Sequence, residues 1–422
     1  MRRLIQSVSP AVAPLPALLL ISTFVVFLVL TARGGVSFVD ISAWYSSSSA
    51  SPSSPPGAGP RAVNFTATPG RVPKGCDIFR GEWVPDGGGI PYYTNRSCPH
   101  IQEHQNCLKY GRPDLGFLRW RWRPSGCDLP RFNAAAFLDS IRGRSLAFVG
   151  DSLARNHMQS LMCLLSKVEY PKDISKKKNL EFSTMLYESH NCTVAIFWSP
   201  FLVKANKSED EELWHLYLDE PDDAWLAEIG GFDYIVISAG NWFTRPSMFH
   251  EAGDVVGCHY CLIPGVKDLS LRYSQRIAFR SALRALTSGF AGFSGTVILR
   301  TLSPTSHFED GEWNKGGDCR RTRPYAANEI RMVGLDLDFY TAQVEEFSRA
   351  KAEAETETAR PRARLELMDT TAAMLLRPDG HPSRYGHWAH VNVTLYNDCV
   401  HWCLPGPIDV WNEMLFQMLL PD

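Results

Sequence analysis

A serine hydroxyl that could act as an acyl nucleophile lies in the turn Gly150-Asp151-Ser152. The four apolar residues before it, 146–149, predict a buried strand. Apolar side chains recur at three- and four-residue intervals over 158–165 and predict a helix after it. We therefore expect Ser152 at the carboxyl edge of a sheet, where α/β folds bind their ligands. The simpler alternative is that Asp151 or Ser152 only caps the helix.

A base for this serine is present near the C-terminus, at Asp398 and His401. A serine needs a base to become a nucleophile, and the base needs a partner that fixes its tautomer. Residues three apart project to one side of a helical turn, so one short segment supplies both groups. A competing pair, Asp379 and His381, has the same residue types and stays open at this point.

Donors for a developing oxyanion are predicted at two places. Asn241 follows the apolar run 234–238, and its side-chain amide at the end of a strand would point at a substrate carbonyl. The backbone N–H of Ser152 is the second donor, and Gly240 is a weaker candidate. The alternative for Asn241 is a residue in an ordinary turn. Four further residues near these motifs are interpreted as substrate contacts, although His157 also suits a purely structural role: Arg155, His157, Trp242 and Arg245.

Strands and helices alternate from about residue 140 onward, which predicts an α/β fold with a parallel sheet flanked by helices. Strands are predicted at 146–149, 193–198, 234–238, 296–300 and 365–368. Helices are predicted at 155–168, 272–286, within 326–358 and at 408–419. The charged stretch 345–359 is interpreted as a solvated helix.

The chain resembles the plant trichome-birefringence-like proteins, which are Golgi polysaccharide O-acetyltransferases related to SGNH/GDSL esterases. The paired signatures are Gly-Asp-Ser at 150–152 and Asp-x-x-His-Trp-Cys-Leu-Pro-Gly at 398–406, with Gly-Glu-Trp-Val-Pro at 81–85 and an Arg/Trp run at 119–124. The resemblance runs from about Cys76 to Leu420 and implies an SGNH-hydrolase-like fold. It also implies a Ser152–His401–Asp398 triad and a cell-wall glycan as acceptor, with xyloglucan side-chain galactose first and mannan or xylan as alternatives.

All eleven cysteines lie at or beyond Cys76, which fits an oxidising compartment. Four of them fall in a loop-rich N-terminal segment that cannot be held by core burial and is expected to need disulfides. The resemblance implies the pairs Cys76–Cys127, Cys98–Cys163, Cys107–Cys403 and Cys319–Cys399. A short Cys258–Cys261 loop would leave Cys192 unpaired. No cysteine spacing matches a structural zinc site, so no metal is expected.

The N-terminus predicts a membrane anchor. Residues 15–32 form an uncharged apolar run of eighteen residues, the short end of a membrane-spanning helix. The predicted organisation is a cytoplasmic tail (1–14), this signal anchor (15–32), a Ser/Pro-rich stem (33–75) and a lumenal catalytic domain (76–422). The last divides into a Cys/Trp-rich segment (76–140) and an SGNH-like part (141–422). A cleaved signal peptide is the alternative. Five glycosylation sequons support a lumenal domain of a type II Golgi membrane protein: Asn64, Asn95, Asn191, Asn206 and Asn392.

A net charge of −2 does not indicate nucleic-acid binding. The chain contains no P-loop or dinucleotide fingerprint, so no bound cofactor is expected. The sequence does not identify the acetyl donor; the two candidates are acetyl-CoA and an acetylated intermediate, and a Golgi membrane protein that supplies the donor is an expected partner. Two other functions remain open, because water and a sugar hydroxyl attack the same acyl-enzyme. They are a glycan acetyl esterase and a non-catalytic wall-glycan-binding protein.

Overall fold

The computed structural model describes residues 70–176, 181–208, 213–289, 292–356, 363–388 and 396–421. The predicted tail, anchor and most of the stem lie outside this part of the chain, as do the sequons at Asn64 and Asn392. Among the described residues, no helix has both the length and the apolar character needed to cross a membrane.

The regular elements alternate along most of the chain, which confirms the α/β class. The strands of the described residues are β1 (Gly81–Pro85), β2 (Trp120–Pro124), β3 (Ser145–Gly150), β4 (Lys172–Asp173), β5 (Phe182–Tyr187), β6 (Cys192–Trp198), β7 (Val203–Lys207), β8 (Trp214–Pro221), β9 (Tyr234–Ser238), β10 (Ser247–Glu251), β11 (Asp254–His259), β12 (Thr296–Arg300) and β13 (Arg364–Met368). The α-helices are α1 (Ala134–Ser140), α2 (Ser152–Leu165), α3 (Asp223–Leu226), α4 (Leu271–Thr287), α5 (Gly334–Thr356), α6 (Thr371–Leu375) and α7 (Asp409–Leu419).

The main sheet has seven strands in the order β13-β12-β9-β3-β6-β5-β4. The five predicted strands form its parallel part, β13 through β6, as expected. The sheet is nevertheless mixed, because β5 and β4 are antiparallel to their neighbours. The short connection between β5 and β6 explains this, since only antiparallel neighbours can be joined by a few residues. In that connection Asn191 adopts a left-handed conformation with φ of 48°.

A second sheet was not predicted from the sequence. It has four strands in the order β11-β10-β8-β7, with only the β8–β10 pair parallel. Two of its three strand pairs contain a register shift. Strands with such irregularities keep no simple two-residue alternation of apolar and polar side chains, which is why pattern alone did not reveal this sheet.

Both faces of the main sheet are covered, and β3 shows why its sequence is apolar throughout. Leu146 and Phe148 point into the core that also contains residues of α2 and α7. Ala147 and Val149 point into the core on the opposite face, shared with α4 and α5. All four side chains are fully buried. A central parallel strand must satisfy two apolar cores at once, which removes the polar alternation of a half-exposed strand.

Helix α5 is less exposed than expected. Its residues Glu346, Phe347 and Ala350 are buried, so the interpretation of 345–359 as a solvated helix was wrong for this face. The buried Glu346 carboxylate accepts hydrogen bonds from Arg276 at 3.0 Å and Arg280 at 2.9 Å, both on α4. Two guanidinium partners allow a carboxylate to be buried between packed helices, and the sequence pattern does not reveal such pairing.

Five disulfides join ten of the cysteines. They are Cys76–Cys127, Cys98–Cys163, Cys107–Cys403, Cys258–Cys261 and Cys319–Cys399, and Cys192 is free and buried. Four of them are the pairs that the resemblance implied, and Cys258–Cys261 is the short loop considered beside them. Three of them hold the loop-rich N-terminal segment, in which β1 and β2 form a two-stranded antiparallel sheet. The buried Trp122 of β2 donates its indole N–H to the carbonyl of Ile78 at 2.9 Å.

Candidate active site

The turn before Ser152 has the conformation that its sequence requires. Gly150 ends β3 with φ of +148°, and a Cβ there would lie 1.9 Å from the carbonyl oxygen of Ser238 on β9. Only glycine permits this approach. Asp151 is buried and caps α2, since its carboxylate accepts a hydrogen bond from the Leu153 N–H at 2.9 Å. The cap is therefore Asp151, and Ser152 is the first residue of the helix with a partly exposed side chain.

The Asp398–His401 pair has the geometry of an oriented base. Nδ1 of His401 lies 2.8 Å from a carboxylate oxygen of Asp398. The other carboxylate oxygen accepts hydrogen bonds from the backbone N–H groups of Val400 at 3.1 Å and His401 at 2.9 Å. Nε2 of His401 is buried and has no hydrogen-bond partner among the described residues. The pair therefore leaves one imidazole nitrogen available for a proton.

The two groups set each other's protonation. Burial opposes the charged form of Asp398, but the His401 imidazole and the backbone N–H groups outweigh burial and hold the pKa of Asp398 well below its usual range. Burial also lowers the pKa of His401, yet the attraction and hydrogen bond of Asp398 reverse this, so the pKa of His401 is raised. A carboxylate that stays ionised and an imidazole with raised pKa are suited to general-base chemistry.

Asn156 connects the segment 398–403, which carries Asp398 and His401 and is called the base segment below, to the helix that carries Ser152. Its side chain lies one turn after Ser152 on α2, accepts the Trp402 N–H at 2.8 Å and donates to the Trp402 carbonyl at 3.3 Å. Residues four apart share a helix face, so this clamp brings the residue after His401 against the first turn of α2. Asn156 was missed in the sequence. No local pattern marks it, because its burial and its partner Trp402 are set by the tertiary structure.

Two disulfides enclose the same segment. Cys319–Cys399 joins the residue after Asp398 to a loop from β12, and Cys107–Cys403 joins the end of the segment to the N-terminal region. The Asp-x-x-His turn is thus fixed at both ends as well as to α2. Groups on a turn gain precise geometry when their neighbours are locked in this way.

The competing pair, Asp379 and His381, is not a catalytic dyad. Asp379 is fully buried and accepts hydrogen bonds from Arg377 at 2.8 and 3.1 Å. The His381 ring is stacked on Trp402 with centroids 4.1 Å apart. Its Nδ1 contacts the His401 carbonyl at 2.7 Å, and its Nε2 lies 2.6 Å from Nδ1 of His307. Both ring nitrogens of His381 therefore have hydrogen-bond partners, and through Nδ1 the ring supports the backbone carbonyl of His401.

Asn241 lies where a strand ends, as predicted. It follows β9 and begins a short 3₁₀ helix, Asn241–Thr244. Gly240 before it has φ of +153°, and a Cβ there would lie 2.9 Å from Leu302. The Asn241 backbone N–H lies close enough to the Asp151 carboxylate to oppose the rise that burial causes in the pKa of Asp151, so the serine turn adjoins this loop. Both side-chain amide atoms of Asn241 are buried without a partner among the described residues. An unpaired amide is costly, and an incoming carbonyl oxygen would satisfy its N–H₂.

Replacing Asn241 by alanine is expected to lower the rate of acyl-ester turnover by about 10²- to 10³-fold, the cost of removing one oxyanion donor in other acyl-transfer enzymes. The Michaelis constant should change little, because the charge develops in the transition state. Steady-state kinetics with 4-nitrophenyl acetate measure both quantities. An unchanged turnover number in the variant would remove Asn241 from the oxyanion site.

The four predicted substrate contacts separate into two groups. Arg155, Trp242 and Arg245 are at least partly exposed beside the serine turn and the Asn241 loop. His157 is fully buried between Phe148 and Trp411, with ring centroids 4.9 and 5.2 Å away. Of the two roles considered for His157, the structure supports the structural one and excludes a substrate contact, because its position on α2 faces the core.

A second histidine, His104, stands beside the triad and was not identified from the sequence. Its ring contacts that of His401 edge-on, with centroids 4.9 Å apart. Burial and the neighbouring His401 lower the pKa of His104 to about 4, so it stays neutral beside the base. His104, Asp398 and His401 bring one ligand-type atom each to within 4.8 Å of one another. Two imidazoles and a carboxylate suit zinc, so the expectation of no metal stays a prediction.

The activity is expected to have an acid limb above the ordinary histidine pKa. His401 must be neutral to accept a proton, and its raised pKa moves the loss of the neutral form to a higher pH than about 6.5. Activity should therefore fall as the pH drops through the raised pKa. In Asp398→Asn the attraction is removed, so the residual activity should show this limb at lower pH. A pH profile of kcat/KM for the wild type and the variant tests this. If activity falls at the same pH in both proteins, the prediction is contradicted.

The fold and the site together define a class. A parallel α/β sheet with a Gly-Asp-Ser turn at its carboxyl edge, beside an Asp-x-x-His segment, is the arrangement of GDSL/SGNH-type proteins. Residues 129–418 match the GDSL/SGNH-like acyl-esterase family found in Pmr5 and Cas1p, and residues 74–128 match the PMR5 N-terminal domain. The chain belongs to this GDSL/SGNH-like acyl-esterase family.

Curated plant proteins are similar over most of the chain. Protein trichome birefringence-like 19 of Arabidopsis thaliana is 52% identical over 351 residues, which cover 82% of this chain and 80% of the relative. Xyloglucan O-acetyltransferase 4 of Populus trichocarpa is 42% identical over 348 residues, 82% of this chain and 81% of the relative. Xyloglucan O-acetyltransferase 1 of Arabidopsis thaliana is 42% identical over 351 residues, with 82% and 80% covered.

Proposed function

We propose that this protein is a polysaccharide O-acetyltransferase that transfers an acetyl group through Ser152 to a hydroxyl of a plant cell-wall glycan. The observation that carries the proposal is the oriented base: His401 bonded to Asp398, with Nε2 unpartnered, and clamped through Asn156 to the helix of Ser152. The names of the xyloglucan O-acetyltransferases at 42% identity support transfer over hydrolysis and favour xyloglucan as the acceptor.

The proposed reaction is a relay with two acyl transfers. His401 accepts the proton of the Ser152 hydroxyl as its oxygen attacks the acetyl carbonyl of the donor. The carbonyl oxygen becomes an oxyanion that the Asn241 amide and the Ser152 N–H stabilise. The tetrahedral intermediate collapses, the donor's leaving group departs with the proton from His401, and acetyl-Ser152 remains. A glycan hydroxyl then gives its proton to His401 and attacks the acetyl carbonyl carbon of acetyl-Ser152. The bond from that carbon to Ser152 Oγ breaks, and Oγ takes the proton back from His401, which restores the Ser152 hydroxyl and leaves the acetylated glycan.

The test uses the full-length chain, purified in detergent, with acetyl-CoA or 4-nitrophenyl acetate as donor and xyloglucan, mannan and xylan oligosaccharides as acceptors. We expect xyloglucan oligosaccharides to gain the mass of one acetyl group. Ser152→Ala should abolish the gain. Ser348→Ala removes a hydroxyl from the exposed side of α5 and is the matched control, which should behave as the wild type.

Each result distinguishes one of the alternatives. Acetylated mannan or xylan would keep the transferase and change the acceptor. Release of free acetate that depends on Ser152, with no glycan gaining mass, would establish an esterase. Binding of oligosaccharides without turnover of either donor would point to a glycan-binding protein. An equal mass gain with Ser152→Ala would remove Ser152 from the mechanism.

The proposed location is the Golgi membrane, with residues 15–32 as a type II anchor and the catalytic domain in the lumen. Disulfides and sequons support it. Asn191 and Asn206 are exposed and accessible to glycosylation, whereas Asn95 is half-buried. Glycosidase digestion of the protein from plant membranes tests the topology, since a lumenal domain should lose mass. A chain with no glycan, digested by protease added outside sealed vesicles, would contradict it.

A further inference from the structure

Four side chains next to the candidate triad contact one another in a row, which we call the arginine–tryptophan ladder: Arg155, Trp198, Trp242 and Arg245. The Arg155 guanidinium lies 4.6 Å from the Trp198 ring, the two indoles are 5.3 Å apart and perpendicular, and the Arg245 guanidinium lies 4.0 Å from the Trp242 ring. The ladder thus carries a positive charge at each end of an aromatic pair.

The ladder adjoins the reacting groups at several points. Arg155 is three residues after Ser152 on α2, Trp198 ends β6 where it pairs with Gly150, and Trp242 directly follows Asn241. The charge of Arg155 makes a small contribution to the pKa of both neighbouring histidines. It opposes the rise in the pKa of His401 and adds to the fall in that of His104, so Arg155 lies within Coulombic reach of the base. A molecule bound along the ladder would therefore reach Ser152 and the oxyanion donors.

Trp242 is held in place by aromatic neighbours outside the ladder. Trp242 packs against Trp214 at 5.6 Å and Phe201 at 5.9 Å, both perpendicular or nearly so. Phe201 is fully buried, and Trp214 belongs to β8 of the second sheet. The unpredicted sheet therefore fixes the orientation of Trp242. A rigid aromatic face gives a ligand contact area at small entropic cost.

The two arginines have unsatisfied donors. Each guanidinium offers five N–H groups in its plane. When a guanidinium packs on the face of a ring, the N–H groups at its edge stay free to donate. Neither arginine forms a hydrogen bond or ion pair with any described residue. Asp151 and Glu181 act on Arg155 only as more distant charges. Arg155 is also half-buried, and an unpaired charge is costly there. Planar, in-plane donors match phosphate and carboxylate groups.

We propose that the arginine–tryptophan ladder binds the acetyl donor, and that this donor carries phosphate groups. The inference rests on the proposed acetyl transfer and names the donor's chemistry. Neutral sugars of an acceptor glycan offer no anion to the two guanidiniums, whereas a phosphate-bearing acetyl thioester offers several. The partly exposed surfaces of Trp198 and Trp242 would contact the organic part of the donor.

Isothermal titration calorimetry with coenzyme A tests the proposal without turnover. The full-length wild-type chain should bind coenzyme A, and Arg155→Gln/Arg245→Gln should bind it at least about 10-fold more weakly, because charge-assisted hydrogen bonds are lost. Arg245→Gln alone alters an exposed residue and should weaken binding in the same direction while the fold is kept. Arg142→Gln/Arg364→Gln removes the same charge at the amino ends of β3 and β13, at the edge of the main sheet opposite Ser152, and should bind like the wild type. Pantethine, which lacks phosphate, should show no dependence on Arg155 or Arg245.

Three results would overturn the inference: no binding of coenzyme A to the wild type, equal binding to the ladder variant, or arginine-dependent binding of trigalacturonic acid without binding of coenzyme A. The last would assign the guanidiniums to an acidic glycan. Ser152→Ala separates this inference from the proposed function, since it should bind coenzyme A normally while acetyl transfer is lost. Arginine-dependent binding in a protein that never acetylates a glycan would reject the function and keep the ladder.

Discussion

Ser152→Ala and His401→Ala are each expected to lower kcat for acetyl-ester turnover by about 10⁶-fold, and the double variant should be no slower than either single one. Ser152 has no base without His401, and His401 has no proton to accept without Ser152. Once one partner is lost, the other contributes nothing more. Asp398→Asn should cost less, about 10⁴-fold, because it removes the orientation of His401 and leaves both reacting groups.

Three measurements make this prediction sharp. Initial rates with 4-nitrophenyl acetate give the turnover, thermal unfolding shows whether each variant is folded, and intact-protein mass spectrometry detects acetyl-Ser152. The acetyl adduct should be present in the wild type and absent in Ser152→Ala. Ser348→Ala should match the wild type in all three. If the losses in the two single variants multiply in the double variant, Ser152 and His401 do not act on the same step.

Arg377→Met is expected to destabilise the fold by about 3–5 kcal/mol, the cost of leaving one buried charge without its partner. Arg377 and Asp379 are both fully buried, with two hydrogen bonds between them. Arg377 also donates to the Phe117 carbonyl at 2.7 Å and lies 4.2 Å from the Trp83 ring. The pair therefore joins the N-terminal segment to the turn that leads into His381, whose ring contacts the His401 carbonyl.

The chain contains a matched control. Arg364 and Glu366 have the same spacing and a 2.6 Å contact, but the Arg364 side chain is 61% exposed. Arg364→Met should cost no more than about 1 kcal/mol, as is usual for a surface ion pair. Urea denaturation with the disulfides intact gives both free energies of unfolding. Arg377→Met/Asp379→Leu should be less destabilised than Arg377→Met alone, because no unpaired carboxylate remains. Equal losses at positions 377 and 364 would show that burial of the pair does not matter.

The sequence was sufficient for features that short stretches of chain encode. A buried central strand must be apolar on both faces, so the five parallel strands were predicted within one or two residues of their observed ends. Ser152, Asp398 and His401 were predicted as catalytic residues because each lies in a compact motif whose residue types have few other uses together. Asn241 was predicted as an oxyanion donor from its place after a strand, and the structure places it at the end of β9.

The tertiary structure decided what depends on partners distant in the chain. Asn156 and His104 carry no local signature, and their roles exist only because Trp402 and His401 lie against them. Asp379 and His381 have the residue types of a catalytic pair, but the Asp379 carboxylate is hydrogen-bonded to Arg377 and the His381 ring to His307. His157 follows the nucleophile in sequence yet points into the core. The second sheet, which orients Trp242, is built from strands too irregular to show a period. Residue type limits what chemistry a side chain can do, whereas packing and hydrogen bonding determine which side chains are free to do it.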